Sequence, residues 1–374
     1  MIVIIVEVGK NQKKTEKTKF VAYYKDNENE NRILNKSLTL KSQNNLGHFS
    51  RIIYTEDGKY VIKFGNFKKP LSLIEDLKNE FRGLLFNIFL NKLSTILFAK
   101  IKEAGMFFDS NNKLITYSLY ERYDYDLYTL LYTIKINLII DKNLKKIEFI
   151  NNLIQQIMTA IKEMNKNNLV HGDIKPENIL IREIKHNEII VDYQYSLCDF
   201  GTTSSNGRIS YNLNGSAEYM SAIKFQEYFS CMNNKREIQI ISRYTDDYFS
   251  LGYMFYKIIN LFFISTISLN IKSLFEISNF PGSNVNKKIY FWITNYTSTI
   301  KKISEHLDKI TTLISITNSN KETFIWKKFE KGLELIKYLF ASNNPSYLEN
   351  IEIAAREKIL LQQKINEYLA FTNI

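Results

Sequence analysis

The chain of 374 residues contains 45% hydrophobic and 14% aromatic residues, a composition that predicts a folded globular protein rather than a disordered one. Its 50 basic residues exceed its 39 acidic ones, but they are scattered along the sequence, so nucleic-acid binding is not expected as its primary function. Two cysteines, Cys198 and Cys231, favour a reducing intracellular compartment over a disulfide framework, and no apolar run reaches the roughly 18–20 residues of a membrane helix.

The first 63 residues alternate apolar and polar runs, which is typical of a strand-rich region. Strands are predicted at Ile2–Val8, Phe20–Tyr24, Phe49–Tyr54 and Tyr60–Phe64. The Glu-Asp-Gly-Lys sequence of residues 56–59 separates the last two, and its Asp-Gly pair predicts a hairpin. A helix is predicted after Pro70, because Leu73, Leu77 and Leu84 recur at helical spacing.

The rest of the chain is predicted to be mainly helical. Residues 114–121 form a predicted strand and residues 147–164 a long amphipathic helix. From about residue 247 onward the pattern is helical. The last helix is expected to begin at Ser346, where Ser-x-x-Glu forms a capping box.

The segment from Leu169 to Ile181 carries the strongest chemical signal. It reads Leu-Val-His-Gly-Asp-Ile-Lys-Pro-Glu-Asn-Ile-Leu-Ile, and Asp-Phe-Gly follows at residues 199–201. Asp173, Lys175, Asn178 and Asp199 supply a base, a cation and two oxygen ligands for a metal, which are the groups that phosphoryl transfer needs. This spacing resembles the catalytic loop and the Asp-Phe-Gly motif of eukaryotic-type protein kinases.

The resemblance implies ATP as the phosphate donor and Mg²⁺ as the metal. Asp173 would be the catalytic base for the substrate hydroxyl, and Lys175 would reach the γ-phosphate. Asn178 and Asp199 would hold the magnesium ion through oxygen. Lysine two residues after the base favours serine or threonine as the acceptor.

The strand Tyr60–Phe64 resembles the one that carries the ATP-anchoring lysine of kinases, here Lys63. Glu80 lies on the apolar stripe of the helix after Pro70, and a carboxylate on such a face needs a counter-charge. Lys63 and Glu80 are therefore the predicted ion pair that positions the α- and β-phosphates, with Glu75 as the alternative to Glu80.

The predicted phosphate-covering loop departs from the family pattern. Residues 45–52, Asn-Leu-Gly-His-Phe-Ser-Arg-Ile, keep only the middle glycine, Gly47, which permits close backbone approach to phosphate. Losing the flanking glycines is expected to stiffen the loop and weaken ATP binding. The other residues that the resemblance assigns to the nucleotide are Ile52, Val61 and Leu180 beside the adenine ring and the backbones of Glu121 and Tyr123, after a gatekeeper Tyr120.

Residues 215–220, Gly-Ser-Ala-Glu-Tyr-Met, resemble the segment that seats the substrate residue. The Ala-Pro-Glu that normally follows is replaced by Ser-Ala-Ile at 221–223, so its stabilising glutamate is missing. By resemblance, Asp247 caps the catalytic-loop backbone near His171, in a helix expected to be buried. These features favour the casein-kinase and vaccinia-related group.

Two substitutions bear on regulation and on the substrate. Gly172 stands where many kinases have the arginine that binds a phosphorylated activation loop, so activity is predicted not to depend on phosphorylation between Gly201 and Ser221. Glu177 and Asp126 would face the substrate cleft, which favours a basic protein substrate.

The sequence therefore predicts an α+β, bilobal protein-kinase-like fold with a β-rich N-lobe and a mainly helical C-lobe. Residues 1–44 are expected to form an N-terminal hairpin or extension, 45–123 the N-lobe and hinge, and 124–374 the C-lobe. The predicted function is a serine/threonine protein kinase. A pseudokinase scaffold remains open because of the poor phosphate loop, and a small-molecule phosphotransferase of the aminoglycoside or choline kinase type remains open because those enzymes also favour His-Gly-Asp.

Overall fold

The structure is a computed structural model. It describes residues 20–25, 31–38, 40–41, 50–55, 58–65, 73–108, 114–136, 140, 143–263, 298–312, 324–344 and 351–372, and side chains from residue 58 onward except at 64–81, 106–115 and 351. The chain divides into two compact units, Met1–Asp124 with Cys198–Gly201 and Tyr125–Leu197 with Thr202–Ile374. The first unit is rich in strands and the second is mainly helical, so the fold is of the α+β class.

The first unit contains a five-stranded antiparallel sheet with the order β3-β4-β5-β7-β6, and a separate hairpin of β1 and β2. The bounds are β1 Phe20–Lys25, β2 Asn31–Leu38, β3 Leu40–Lys41, β4 Ser50–Thr55, β5 Tyr60–Gly65, β6 Ile101–Phe108 and β7 Leu114–Glu121. Strands β4 and β5 pair in register from Ser50 opposite Gly65 to Tyr54 opposite Val61. The hairpin predicted from Asp-Gly is confirmed, and Gly58 takes a φ of +66° that favours glycine.

Among the described residues, the first unit has one α-helix, α1 at Leu73–Leu93, which packs against β6 and β7. The fully buried Leu90 anchors its last turns. Asn91 joins the helix to the start of β6: its amide nitrogen donates to the Ala99 carbonyl over 2.6 Å, and its amide oxygen accepts from Ile101 N–H over 3.1 Å.

The second unit is built on six helices among the residues that the structure describes. They are α2 Asn143–Lys166, α3 Ala222–Asn233, α4 Tyr244–Phe263, α5 at 298–312, α6 Phe324–Ala341 and α7 Ile351–Thr372. Helix α4 is buried over most of its length, as its apolar sequence predicts, and it packs against α6. Apolar side chains of α2 such as Leu153, Ile157 and Ile161 are fully buried, so the core of this unit lies among α2, α4 and α6.

The second unit also contains strands, and the loops that carry the candidate site connect them. Their bounds are β8 Tyr125–Asp126, β9 Leu169–Val170, β10 Ile179–His186, β11 Ile189–Leu197, β12 Ser204–Ser205, β13 Ile209–Ser210 and β14 Ile240–Ile241. Strands β11, β10 and β8 form one sheet in that order, β12 pairs with β9, and β13 pairs with β14. Strand β11 lies at the edge of its sheet, and the Gln156 side chain of α2 satisfies part of its backbone. Gln156 accepts from Tyr195 N–H and donates to the Tyr193 carbonyl.

The predicted elements agree with the described ones to within a few residues. The predicted strand 114–121 coincides with β7, and the helix predicted at 147–164 is α2. The predicted strand Ile2–Val8, the capping box at Ser346 and the loop glycine Gly47 lie outside the described residues. Within the described helices, none is long and apolar enough to cross a membrane.

Buried His306 on α5 is expected to make stability depend on pH. Its Nδ1 lies 2.8 Å from the Tyr256 hydroxyl, and its Nε2 meets no hydrogen-bond partner in the described part of the chain. Burial, with a smaller effect of Lys309, lowers the pKa of His306 below its ordinary value of 6.5. The contribution of His306 to stability is therefore complete above pH 6.5 and declines as the pH falls below it.

Chemical unfolding at pH 7.5 and pH 5 would check this expectation, with His306→Phe as the comparison. The wild-type chain should lose more unfolding free energy than the variant on acidification, because phenylalanine cannot take up a proton. An equal loss in both chains would show that His306 does not titrate in this range.

Candidate active site

The loop predicted to be catalytic begins at the end of β9, and Asp247 in the first turn of α4 holds its backbone. The N–H of His171 donates to Asp247 Oδ2 over 2.6 Å, and the N–H of Gly172 donates to Oδ1 over 2.8 Å. These bonds confirm the role predicted for Asp247. Burial raises the pKa of Asp247 to about 6, although the His171 imidazole and the two backbone donors lower it.

Asp173 and Lys175 meet at the predicted substrate-seating segment, residues 215–220. Lys175 Nζ lies 2.9 Å from Asp173 Oδ2 and donates to Ser216 Oγ over 2.7 Å. The N–H of Ser216 donates to Asp173 Oδ1 over 2.6 Å. Burial acts to raise the pKa of Asp173, but Lys175 and the Ser216 hydrogen bonds outweigh it and hold the pKa below its ordinary value. Asp173 is therefore an ionised acceptor at neutral pH.

Asn178 is fixed by the same loop. Its amide nitrogen donates to the Asp173 carbonyl over 2.8 Å and to Asp173 Oδ2 over 3.3 Å. Both bonds use the nitrogen, so they leave the amide oxygen to face another group. The side chain is buried, and its orientation is set by Asp173, five residues earlier in the sequence.

Two glycines let the catalytic loop and the substrate-seating segment lie against each other. Gly172 and Gly215 have φ of +82° and +108°, values that side-chain-bearing residues rarely adopt. A Cβ on Gly215 would lie 2.7 Å from the Gly172 carbonyl oxygen, and one on Gly172 would lie 3.1 Å from that of Thr202. Glycine at 172 therefore suits the backbone conformation of this loop.

Asp199 lies in the first unit together with Lys63. Lys63 Nζ lies 2.8 Å from Asp199 Oδ1, and the Asp199 side chain is 45% exposed. Asp199 itself takes a φ of +62°. The predicted partner of Lys63, Glu80, belongs to α1, but its side chain, like that of Glu75, lies outside the described residues.

The Asp-Phe-Gly turn is seated against α1 through Gly83, a residue that the sequence analysis did not select. A Cβ on Gly83 would lie 2.8 Å from both Cα and N of Gly201. Phe200 is buried and makes an edge contact with Phe98 at a centroid distance of 6.1 Å. A glycine inside an apolar helical pattern was the sequence signal for this close approach.

Replacing Gly83 by alanine is expected to destabilise the protein. Helix propensity alone would stabilise it by about 1 kcal/mol. The added methyl group meets backbone rather than a flexible side chain, and such overpacking costs about 1–3 kcal/mol. The change in unfolding free energy of Gly83→Ala decides whether helix propensity or overpacking is the larger effect. Leu85→Ala, on the exposed face of the same helix, is the comparison variant without a backbone contact. Stabilisation by Gly83→Ala would contradict the close contact.

Tyr120, the predicted gatekeeper, is tied to α1. Its hydroxyl accepts from the Asn87 amide over 3.2 Å. Burial raises the pKa of Tyr120, while Lys63 acts in the opposite direction. The link between Asn87 and Tyr120 was not expected from the sequence, because an asparagine on a helical stripe carries no distinctive pattern.

Glu121 and Tyr123, whose backbones were predicted to bind adenine, both contact Lys100. The Glu121 N–H donates to the Lys100 carbonyl over 3.0 Å, and its carboxylate lies 2.8 Å from Lys100 Nζ. The Tyr123 hydroxyl accepts from Lys100 N–H over 3.2 Å. The structure thus gives each residue a position within the first unit, and the adenine contacts stay predictions.

The apolar residues predicted beside adenine belong to strands of both units. Ile52 on β4 pairs with Lys63, and Val61 on β5 pairs with Tyr120. Leu180 on β10 pairs with Asp126 in the second unit. Val61 and Leu180 are half-buried, whereas the Ile52 side chain lies outside the described residues.

The acidic residues expected to contact substrate have different surroundings. Both carboxylate oxygens of Asp126 cap the next turn, where they accept from the N–H and the hydroxyl of Thr129 over 2.8 and 2.7 Å. Glu177 is exposed. Burial raises the pKa of Tyr132 to about 12, and nearby Glu218 and Glu177 add to the rise. Glu218, which the sequence analysis did not select, therefore lies near Tyr132, as Glu177 does.

Comparison with known proteins gives consistent matches. The family described as protein kinase domain matches residues 110–346. The chain is 42% identical over 50 residues to the sporulation protein kinase mde3 of Schizosaccharomyces pombe, which covers 13% of this chain and 9% of that protein. It is 33% identical over 102 residues to a putative serine/threonine-protein kinase of Acanthamoeba polyphaga mimivirus, which covers 26% of this chain and 32% of that protein. The aligned parts are thus less than half of either relative's length.

Proposed function

Since the chain belongs to the protein kinase domain family, we propose that it is an active serine/threonine protein kinase that transfers the γ-phosphate of ATP to protein hydroxyls. The observation that carries the proposal is the arrangement of Asp173, Lys175 and Ser216. The base and the cation are 2.9 Å apart, and both bond the segment that resembles a kinase substrate seat. Both relatives bear kinase names, which supports the family but leaves this chain's substrate open.

In this proposal Asp173 accepts the proton of the substrate hydroxyl. Its low pKa keeps it ionised at neutral pH, and the Ser216 N–H fixes one carboxylate oxygen. The other oxygen lies near Lys175 Nζ, where a substrate hydroxyl would be oriented. Lys175 can neutralise negative charge as it develops on the transferring phosphate.

The donor atoms suit ATP with magnesium. Asp199 offers a carboxylate and Asn178 an amide oxygen, and Mg²⁺ prefers such hard oxygen ligands. When bound, the metal neutralises phosphate charge and orients the γ-phosphate for transfer. Lys63, which contacts Asp199, is the proposed phosphate anchor, and Glu80 its proposed partner.

The remaining assignments of the nucleotide site are carried over from the sequence. We assign Gly47, Ile52, Val61, Leu180 and the backbones of Glu121 and Tyr123 to the nucleotide. On the same basis, residues 45–123 are the N-lobe and hinge, residues 124–374 are the C-lobe, and residues 1–44 are an N-terminal hairpin or extension.

For the substrate, exposed Glu177 favours a basic protein. Glu218 is also exposed, but its carboxylate is paired with Lys257. Asp126 contributes less than the sequence suggested, because its carboxylate is engaged by Thr129. The absence of an arginine at Gly172 favours activity without activation-loop phosphorylation, and the motif around Asp246 and Asp247 favours the casein-kinase and vaccinia-related group.

The test is transfer of labelled γ-phosphate from ATP and magnesium to a basic and an acidic protein, followed by identification of the labelled residue. We expect label on serine or threonine, more on the basic protein, and none after magnesium is chelated. The Asp173→Asn variant serves as the blank. A folded chain that binds ATP but labels no protein would favour a pseudokinase scaffold, and label on a free amino alcohol or sugar instead would favour a small-molecule phosphotransferase.

A further inference from the structure

The substrate-seating segment ends at a buried cluster of three polar residues, Ser221, Asp246 and Asn343. We call these three residues the polar cluster. The Ser221 hydroxyl donates to Asp246 Oδ1, and the Asn343 amide donates to the same oxygen over 3.4 Å. The Asn343 oxygen accepts from Ile223 N–H over 3.1 Å. The cluster therefore joins the end of the substrate-seating segment to the start of α4 and to the turn after α6.

Burial makes this cluster energetically important. Ser221, Asp246 and Asn343 are exposed by 1%, 4% and 0%. A buried carboxylate is costly unless donors surround it, and Asp246 has a third donor in the Arg243 N–H, at 3.0 Å from Oδ2. Removing one donor would leave the buried Asp246 carboxylate with too few hydrogen bonds, next to the segment that it holds.

The cluster also satisfies the first turn of α3, which begins directly after the segment. The Ser221 oxygen accepts from Lys224 N–H over 3.3 Å, as an N-cap does, and Asn343 takes the Ile223 N–H. These donors have no partner within the helix. The entry of the chain into α3 is thus set by a side chain from α6's end, 120 residues away in sequence.

Adjacent aspartates of α4 hold two different functional segments. Asp247 binds the backbone of the catalytic loop, and Asp246 holds the end of the substrate-seating segment. One turn later, the Ser250 hydroxyl donates to the Tyr219 carbonyl over 2.7 Å. The beginning of α4 therefore sets both segments relative to each other.

We propose that Asp246 and Asn343 are positioning residues that fix the substrate-seating segment, in place of the glutamate that kinases have at the position of Ile223. The proposal rests on the proposed kinase function. Neither residue touches Asp173, so their loss should weaken protein-substrate use while leaving ATP binding intact.

Exchanging the two groups tests the proposal sharply. Asn343→Asp removes the amide donor and sets a second carboxylate against Asp246, and Asp246→Asn removes the charge that the donors surround. In the double variant Asp246→Asn/Asn343→Asp, the amide and carboxylate have exchanged places. A donor–acceptor pair between positions 246 and 343 is restored, Ile223 N–H keeps an acceptor, and the amide oxygen at 246 can still accept from Arg243 N–H. The Ser221 hydroxyl then faces the amide nitrogen at 246 and loses its acceptor there, so the restoration is partial.

Steady-state kinetics should separate positioning from general damage. Asn343→Asp is expected to raise KM for the protein substrate at least about fivefold while KM for ATP changes by less than about twofold. The double variant should recover part of the loss, and the exposed substitution Asn366→Asp should resemble the wild type. A double variant as poor as Asn343→Asp, or equal losses towards ATP and protein, would overturn the proposal.

Amide hydrogen exchange gives a readout that does not depend on catalysis. Residues 215–224 should exchange faster in Asn343→Asp and return towards wild-type rates in the double variant. If no chain transfers phosphate, the proposed function fails, and this measurement still decides whether the cluster holds the segment. If Asn343→Asp does not fold, Asn343→Ala removes the same bonds without adding charge, and unchanged exchange in that variant would refute the anchoring role.

Discussion

The Asp173→Asn variant is expected to transfer phosphate about 10³-fold more slowly than the wild type, since a positioned general base contributes about 10²–10⁴-fold. Asparagine keeps the size of the side chain and an oxygen for the Ser216 N–H, but its amide cannot accept the proton of a substrate hydroxyl. It also turns an ion pair with Lys175 into a contact between two donors. Rates of transfer at saturating ATP measure the effect.

Two controls accompany the Asp173→Asn measurement. Asp308→Asn removes an aspartate whose side chain is 63% exposed and pairs with Lys337, and it should leave transfer unchanged. ATP binding by Asp173→Asn should also stay close to wild type. Because the pKa of Asp173 is held below 3.8, wild-type transfer should show no loss from protonation of this group between pH 5 and 8. Transfer by Asp173→Asn at more than a tenth of the wild-type rate would remove Asp173 from the role of base.

Gly215→Ala is expected to lower transfer by about 10²-fold or more, through displacement of the substrate-seating segment. Its Cβ would lie 2.7 Å from the Gly172 carbonyl oxygen, a distance that real Cβ atoms do not show to backbone. The φ of +108° adds strain of about 1–3 kcal/mol. Either the segment or the catalytic loop must move, and the bond from Ser216 N–H to Asp173 lengthens as a result.

Gly207→Ala is the matched control for this prediction. Gly207 has a similar positive φ of +83°, but a Cβ there would meet no atom within 4 Å. Both variants carry backbone strain, and only Gly215→Ala carries the collision. Unfolding free energy should fall in both, whereas kcat/KM for the protein substrate should fall far more in Gly215→Ala. Equal kinetics would mean that the contact between Gly172 and Gly215 does not set the site.

Local chemistry was readable from the sequence. Asp173, Lys175 and Asn178 lie within six residues, so their mutual bonds follow from one short loop. The hairpin of β4 and β5 followed from Asp-Gly, and the buried helix α4 followed from an apolar pattern on all faces. Asp247 was placed correctly because the resemblance supplied its partner, the backbone at His171.

Contacts between distant residues were decided by the tertiary structure. Lys63 meets Asp199 across 136 positions, and Asn343 reaches Ile223 across 120. Gly83 owes its role to the backbone of Gly201. Composition and periodicity determine which faces are buried and where loops occur. They do not specify which polar group satisfies another, because that depends on distances and orientations that exist only after the helices and strands have packed.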